Sequence, residues 1–284
     1  MLKERLNFIK ELAIEVGNIT LKGFGNCQHV EKPNQYGYDI LTDFDTIAEN
    51  LITNAIQKKY GEAIISEECG LIGDSDKAKK SVWIVDPIDG TLNFQRGIPL
   101  YGISIAYCEN SIPIVGVIFL PALGELFIAG KGIGASLYNL KYQEELPILV
   151  DRETDFQKLI IAMEGKNALQ NGIIHYFNSG FSHRSLQIFR CAVFTLTYLA
   201  CGRIHIYFNS LINLWDCAAG EIIIQEAGGL PCLDERLNPI FPNSLNHYLD
   251  LDTPQRKTFR LHLVVASNRI IRDLFVNKVI TPTT

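Results

Sequence analysis

The sequence lacks most of what would place it among nucleic-acid-binding, membrane or disulfide-stapled proteins. Its formal net charge is −5 and its charges are interspersed, with no block of Lys and Arg to follow a phosphate backbone, so no nucleic-acid partner is expected. No apolar run approaches the length of a membrane span. The opening Met1-Leu2-Lys3-Glu4 leads into a mixed-polarity segment without the apolar core of a secretory signal, and the expectation is a cytoplasmic protein with no membrane partner. The seven cysteines include no CxxC pair, and an odd count leaves a disulfide framework incomplete. None of the six histidines forms a pair at metal-ligand spacing. Fixed-period repeats and low-complexity tracts are missing too, which excludes solenoids and tails.

What is present is enough apolar material for a large core: 284 residues, 47% of them hydrophobic. Leu2, Leu6, Ile9, Ala13 and Val16 recur at helical spacing, and Ile47, Leu51, Asn54, Ala55 and Lys58 mark a second helix. Short apolar runs at 82–86, 102–107, 113–120 and 125–129 read as strands, closed by a flexible turn at Gly132-Ile133-Gly134-Ala135. A further strand begins at Leu159-Ile160-Ile161-Ala162, so a boundary near residue 150 divides an N-terminal α+β part, 1–150, from a C-terminal α/β part, 151–284. Helices are expected at 190–201 and 216–227, stopped by Gly228-Gly229, then a buried strand at Leu263–Ala266 and a terminal helix. The Pro-, Asn- and Asp-rich interval from Asp234 to Arg260 reads as a long surface loop. Mixed helices and strands of this kind indicate a layered α/β fold.

The chemistry concentrates in Asp86-Pro87-Ile88-Asp89-Gly90-Thr91, which closes the buried run Val82-Trp83-Ile84-Val85 with two carboxylates and a hydroxyl. Carboxylates at a strand's end suit a hard cation such as Mg²⁺, which takes oxygen ligands and keeps water and substrate phosphate in its shell. Proline fixes the turn between Asp86 and Asp89 and leaves the Ile88 carbonyl free to join them. Gly90-Thr91 then starts a short helix whose N–H groups favour a phosphate, with the Thr91 hydroxyl placed to orient a water. Two other acidic elements stand at element edges: Ser66-Glu67-Glu68 after Ala63-Ile64-Ile65, and Leu214-Trp215-Asp216 at a helix start. Taken singly, each acid reads as a cap or a turn residue, and Asp216 as an N-cap. Cys69, beside Glu67-Glu68, reads as a small buried residue or a soft metal ligand. Asp89-Gly90-Thr91-Leu92 also ends the signature of haloacid-dehalogenase-type phosphatases, but their nucleophilic Asp would fall at Pro87, which cannot attack phosphorus.

With these elements together, the chain resembles the inositol monophosphatase family of lithium-sensitive, Mg²⁺-dependent sugar phosphatases. The matching segments are Glu67-Glu68, Trp83 to Phe94, Lys131-Gly132-Ile133-Gly134-Ala135, Trp215 to Gly220, Glu226 to Gly229, and Ala266-Ser267-Asn268-Arg269. The resemblance implies an alternating helix-sheet-helix-sheet-helix sandwich of the inositol monophosphatase/fructose-1,6-bisphosphatase type, commonly a homodimer. It implies that Glu67, Asp86, the Ile88 carbonyl, Asp89 and Asp216 hold two or three Mg²⁺ ions, and that Thr91 with Glu67 activates the attacking water. Lys32 and Asp39 resemble the mobile loop that completes the site, and Asp45 the outer-shell acid. Asp89, Gly90, Thr91, Cys191, Ala192 and Asp216 would meet the phosphorylated substrate.

Two positions leave the family's pattern. Arg190-Cys191-Ala192 stands where relatives carry Gly-Ser/Thr-Ala, and Asn209 where inositol-phosphate hydrolases carry Glu. If both side chains face the substrate, the pocket gains a cation and loses an anion, favouring acidic or doubly phosphorylated ligands; otherwise Arg190 is a surface or capping residue. The expected activity is hydrolysis of a small sugar or polyol phosphate such as inositol 1-phosphate. Fructose-1,6-bisphosphatase, 3′-phosphoadenosine nucleotidase and histidinol-phosphatase activities, or a non-catalytic regulatory protein that kept the fold, are the alternatives.

Overall fold

The structure, a computed structural model, describes residues 2–34, 37–164, 183–234 and 237–277, with the backbone alone for 32–34 and 37–39. Helix α1 (Leu2–Thr20) buries Leu6, Ile9, Ala13 and Val16 along one stripe, as their spacing requires. Helix α2 (Asp43–Tyr60) starts at a capping box, in which Asp45 N–H meets the Thr42 side chain and the Asp45 carboxylate takes the Thr42 N–H, and it ends on left-handed Gly61. Between them lies a hairpin the sequence did not suggest, β1 (His29–Asn34) and β2 (Gly37–Thr42).

The main sheet has eight strands: β3 (Ala63–Ser66), β4 (Gly70–Ile72), β5 (Ser81–Asp89), β6 (Gly102–Glu109), β7 (Ile112–Leu120), β8 (Glu125–Gly130), β9 (Gly134–Asn139) and β10 (Glu144–Pro147). Their spatial order is β10-β9-β8-β7-β6-β5-β3-β4. Every pair is antiparallel except β3 and β5, which the short α3 (Ser75–Lys80) connects in parallel. Gly132-Ile133-Gly134-Ala135 does not close this sheet as expected: the chain turns there and returns as β9, with β10 beyond it.

A second sheet, in order β12-β11-β13-β14, comprises β11 (Ile160–Glu164), β12 (Ser185–Gln187), β13 (Ile206–Ile212) and β14 (Leu261–Ala266). β11 runs parallel to both neighbours, and β14 is antiparallel to β13. Between the sheets lie α5 (Ala192–Ala200) and α6 (Leu214–Glu226), whose apolar residues join both sheets in one core. α6 comes close enough that a Cβ on Gly116 of β7 would stand 2.9 Å from the Ala219 carbonyl oxygen. A second core lies between α1, α2 and the outer face of the large sheet, and a third between the small sheet and α9 (Arg269–Phe275). The five layers are therefore helix, sheet, helix, sheet, helix.

The expected loop at 234–260 is instead largely helical, with α7 (Asn243–Asp250) and α8 (Thr253–Thr258). Its Pro, Asn and Asp act as caps: Asp252 and Gln255 form a capping box with Pro254 in the first turn. Leu245, Tyr248 and Leu249 supply the buried stripe of α7, and the Tyr248 ring meets Trp215 edge-on at 6.5 Å. Among the described residues, no helix is long and apolar enough to cross a membrane.

Candidate metal centre

The site grows from the one parallel pair in the large sheet. Ser66 of β3 and Val85 of β5 are in register, so the next residues, Glu67 and Asp86, leave the parallel pairing side by side, while Asp86 stays paired with β6; this is the carboxyl side of the parallel pair, where ligands gather in α/β folds. After Asp86 the pairing with β6 is irregular until Asp89. The Ile88 N–H donates to Asp86 Oδ1 at 3.1 Å, which turns the chain and brings Asp89 round. Gly90, at φ +85°, follows in a conformation that favours glycine, and a Cβ there would meet the Leu100 carbonyl oxygen at 2.9 Å. The expected short helix is α4 (Thr91–Gln95). Thr91 Oγ1 donates to the Ile88 carbonyl at 3.1 Å and to Asp45 Oδ1 at 3.3 Å.

Asp216 arrives from the other half of the chain. Ser104, the register partner of Asp86 on β6, donates its hydroxyl to the Trp215 carbonyl at 3.2 Å, tying the start of α6 to the end of β5. The N-cap of α6 is Asn213 and not Asp216. Asp216 is the third helical residue, and its carboxylate accepts from the Asn213 N–H at 2.8 Å and Nδ2 at 3.3 Å. Asn213 Oδ1 beside it is buried with no hydrogen-bond partner among the described residues. Asp89 is held from a third direction, by the first turn of α5: Val193 N–H donates at 2.7 Å and the Cys191 thiol at 3.2 Å, with the Ala192 N–H adding to them.

Burial raises the proton affinity of these carboxylates, and neighbouring charges add to it at Asp86 and Asp89. Burial, then the charges of Glu67, Asp89 and Asp216, hold Asp86 well above the usual carboxylate range. Burial and the charge of Asp216 raise Asp89 against the pull of the Val193 N–H. Burial likewise raises Asp216, opposed by the Asn213 hydrogen bonds. Asp86 stands within hydrogen-bonding reach of both Glu67 and Asp216. Among the described residues, no group of three His, Cys, Asp or Glu stands ready-made at metal-ligating spacing. The donor set nevertheless fits a hard divalent cation: oxygen ligands only, crowded, and raised in proton affinity, so that a cation would compete with protons there.

Other sequence candidates are placed as follows. Lys32 and Asp39 face each other in register on the β1–β2 hairpin, and their side chains lie outside those described. Arg190 is exposed at φ +57° just before α5, and its carbonyl accepts from Asn93 Nδ2 at 3.4 Å. Asn209 is buried with its amide engaged inside the fold: Nδ2 donates to the Tyr207 hydroxyl at 2.8 Å, and Oδ1 accepts from Leu211 N–H at 2.9 Å. Cys69 is exposed, not buried. Its thiol and N–H both donate to Glu49, at 3.0 and 3.1 Å, and burial together with that carboxylate pushes the thiol up to about 11, which disfavours a thiolate ligand.

Sequence reasoning missed Glu164. At the end of β11 it is almost fully buried, its Oε1 accepts from Thr195 Oγ1 at 3.2 Å, and the Tyr207 hydroxyl bonds it as well. Burial, then the charge of Asp89, push it up to about 7, against the opposing charge of Arg190. Asp45 was read only as an outer acid. Burial pushes it up to about 6 although Thr42 and Thr91 both bond it.

The layering and the acidic site at the carboxyl ends of parallel strands define a five-layered α/β sandwich with an oxygen-donor site. A model of the inositol monophosphatase family matches residues 1–257, and the chain belongs to that family. It is 30% identical over 285 residues to the Nus factor SuhB of Haemophilus influenzae, covering 96% of this chain and 95% of the relative. It is 33% identical over 235 residues to the fructose-1,6-bisphosphatase/inositol-1-monophosphatase of Thermotoga maritima, covering 80% and 84%. The solved structure of the Thermotoga maritima IMPase superposes with a TM-score of 0.79 at 27% identity, covering 97% of this chain and 96% of that one.

Proposed function

We propose that the chain is a Mg²⁺-dependent phosphomonoesterase that hydrolyses a small sugar or polyol phosphate such as inositol 1-phosphate. The observation that carries this reading is the meeting of Glu67, Asp86, Asp89 and Asp216 beside the Thr91 hydroxyl, where the charges of the other three carboxylates raise the proton affinity of Asp86. Those four side chains and the Ile88 carbonyl would hold two or three ions. When bound, Mg²⁺ acidifies a water and offsets the charge that develops on the transferring phosphoryl group. Thr91 orients that water, because its hydroxyl is itself fixed by the Ile88 carbonyl and Asp45. Glu67 accepts its proton. The N–H groups at Gly90 and Thr91 face the phosphate oxygens, while Cys191 and Ala192 fix Asp89 and border the substrate. Lys32 and Asp39 complete the site from the hairpin. A cytoplasmic homodimer, inhibition by lithium and a domain division near residue 150 belong to the same reading.

A second reading is favoured by the similarity to the Nus factor SuhB of Haemophilus influenzae, which spans nearly the whole of both chains. On that reading the fold serves a regulatory role with a macromolecular partner, and the expectation of no nucleic-acid partner applies to the phosphatase reading alone. The deciding experiment incubates the purified protein with a panel of inositol phosphates, sugar phosphates, fructose 1,6-bisphosphate and nucleotides, and scores free phosphate with Mg²⁺ and with a chelator. Mg²⁺-dependent release from a polyol monophosphate is expected. No release from any member of the panel would favour the regulatory role.

A further inference from the structure

We propose that Glu164, with Arg190 beside it, is a specificity-determining residue of the leaving-group pocket that takes up hydroxyls and turns away a second phosphate. This rests on the phosphatase reading above. Glu164 ends β11 in register with Asn209 of the parallel β13, where the parallel pairing stops, on the carboxyl side on which α/β folds meet ligands. Side chains alternate along a strand, so Glu164 and Asn209 share the face of Ala162 and Tyr207, both part of the core around α5 and α6. The first turns of α5 hold Asp89 through the Val193 N–H and Glu164 through the Thr195 hydroxyl, which links the carboxylate cluster to Glu164 through one short rigid segment.

Burial to 6% exposure takes Glu164 out of water, and its bonds among the described residues, from Thr195 and Tyr207, leave part of a carboxylate's acceptor capacity for a further donor. Arg190 is close enough for its charge to act on Glu164. The Asn209 amide is spent on Tyr207 and Leu211, so the acidic acceptor of this pocket comes from β11. An exposed guanidinium alone would welcome a second phosphate. Beside a carboxylate it presents a donor and an acceptor together, which suits a hydroxyl pair and repels a second phosphate. The gain of two positive charges expected from Arg190 and Asn209 is thereby largely offset.

The test is the ratio of kcat/KM for inositol 1-phosphate to that for an aryl phosphate without hydroxyls, in wild type, Glu164→Gln and Arg190→Gln, with Tm recorded for each. Calorimetry of inositol 1-phosphate against inorganic phosphate with Mg²⁺ gives a binding ratio that does not depend on turnover. Both ratios are expected to fall about tenfold in Glu164→Gln, through KM more than kcat, and several-fold in Arg190→Gln, whose exposed position spares the fold. Unchanged ratios in both variants, or a wild type that prefers fructose 1,6-bisphosphate to inositol 1-phosphate, would overturn the proposal. If the wild type hydrolyses nothing, the phosphatase reading fails on its own, and the binding ratio still decides the role of Glu164.

Discussion

Just before β3, the Glu62 carboxylate accepts from Arg5 Nη1 and Nη2 at 2.7 Å each and from Trp83 Nε1 at 2.8 Å, and Arg5 lies over the rings of Tyr60 and Tyr107 at 4.4 and 3.9 Å. Just after the same strand, Glu67 meets Asp86, whose other carboxylate neighbours are Asp89 and Asp216. Four residues of β3 separate the two arrangements. At the first, opposite charges and aromatic faces close α1 onto the sheet. At the second, carboxylates crowd against one another around buried Asp86, which raises its proton affinity and disfavours the fully charged cluster. The difference separates a carboxylate neutralised by its partner from a set whose crowding suits a cation, although exposure alone does not tell them apart.

The largest effect is expected where the comparison is broken at the acidic end. Asp89→Asn removes one charge without opening a cavity and leaves an oxygen for the Val193 N–H, so the fold persists while kcat/KM for a polyol phosphate falls by about 10²–10³-fold. Steady-state kinetics on a variant with wild-type circular dichroism checks this, and undiminished turnover would remove Asp89 from the metal set. At the other end, Arg5→Met leaves Glu62 partly buried without its cation. Its charge is shared with solvent, so the expected loss is about 2 kcal/mol of stability, below the range for fully buried pairs. The denaturant midpoint should drop while kcat/KM stays within twofold of wild type.

A smaller effect separates the ends by pH. Carboxyl groups whose proton affinity is raised on folding, among them Asp45 at about 6 and Glu164 at about 7, bind more protons folded than unfolded between pH values of about 4 and 7. Stability of the metal-free protein should therefore decline as pH rises through that window and level off above it. Mg²⁺ bound at Asp86 and Asp216 would compete with protons there, so the decline should be shallower with Mg²⁺ present. Melting curves from pH 4 to 8, with and without chelator, measure both slopes, and parallel slopes would count against the site. The smallest effect is partial inhibition by Li⁺ at about tens of millimolar, since a monovalent ion among Asp86, Asp89 and Asp216 supplies less charge than Mg²⁺. Full activity there would argue against that geometry.

Much of the acidic end was legible in the sequence because its signals are local. Val82 to Val85 announces a buried strand, Asp86 to Thr91 closes it within six residues, and Glu67 follows an apolar run of its own. Its assembly was not legible, since the side-by-side exit of Glu67 and Asp86 depends on the parallel register of β3 and β5. Glu164 was missed because a lone Glu after Leu159 to Met163 reads as a solvated strand end, and only its pairing with β13 places it near Asp89. Cys69 was misread because Glu49, which holds it, lies twenty residues earlier. The 234–260 interval misled for a different reason: residues that break helices in their interior also cap them, and Leu245, Tyr248 and Leu249 make too short a stripe to stand out.

The most direct test of the like-charge cluster as the metal site is a Mg²⁺ titration of the metal-stripped protein, followed in parallel by calorimetry and by phosphate release from inositol 1-phosphate. Binding should release protons at neutral pH, activity should rise along the same curve, and Asp86→Asn should weaken both together. Phosphate release at an unchanged rate in chelator, or Mg²⁺ binding that Asp86→Asn leaves untouched, would contradict the account.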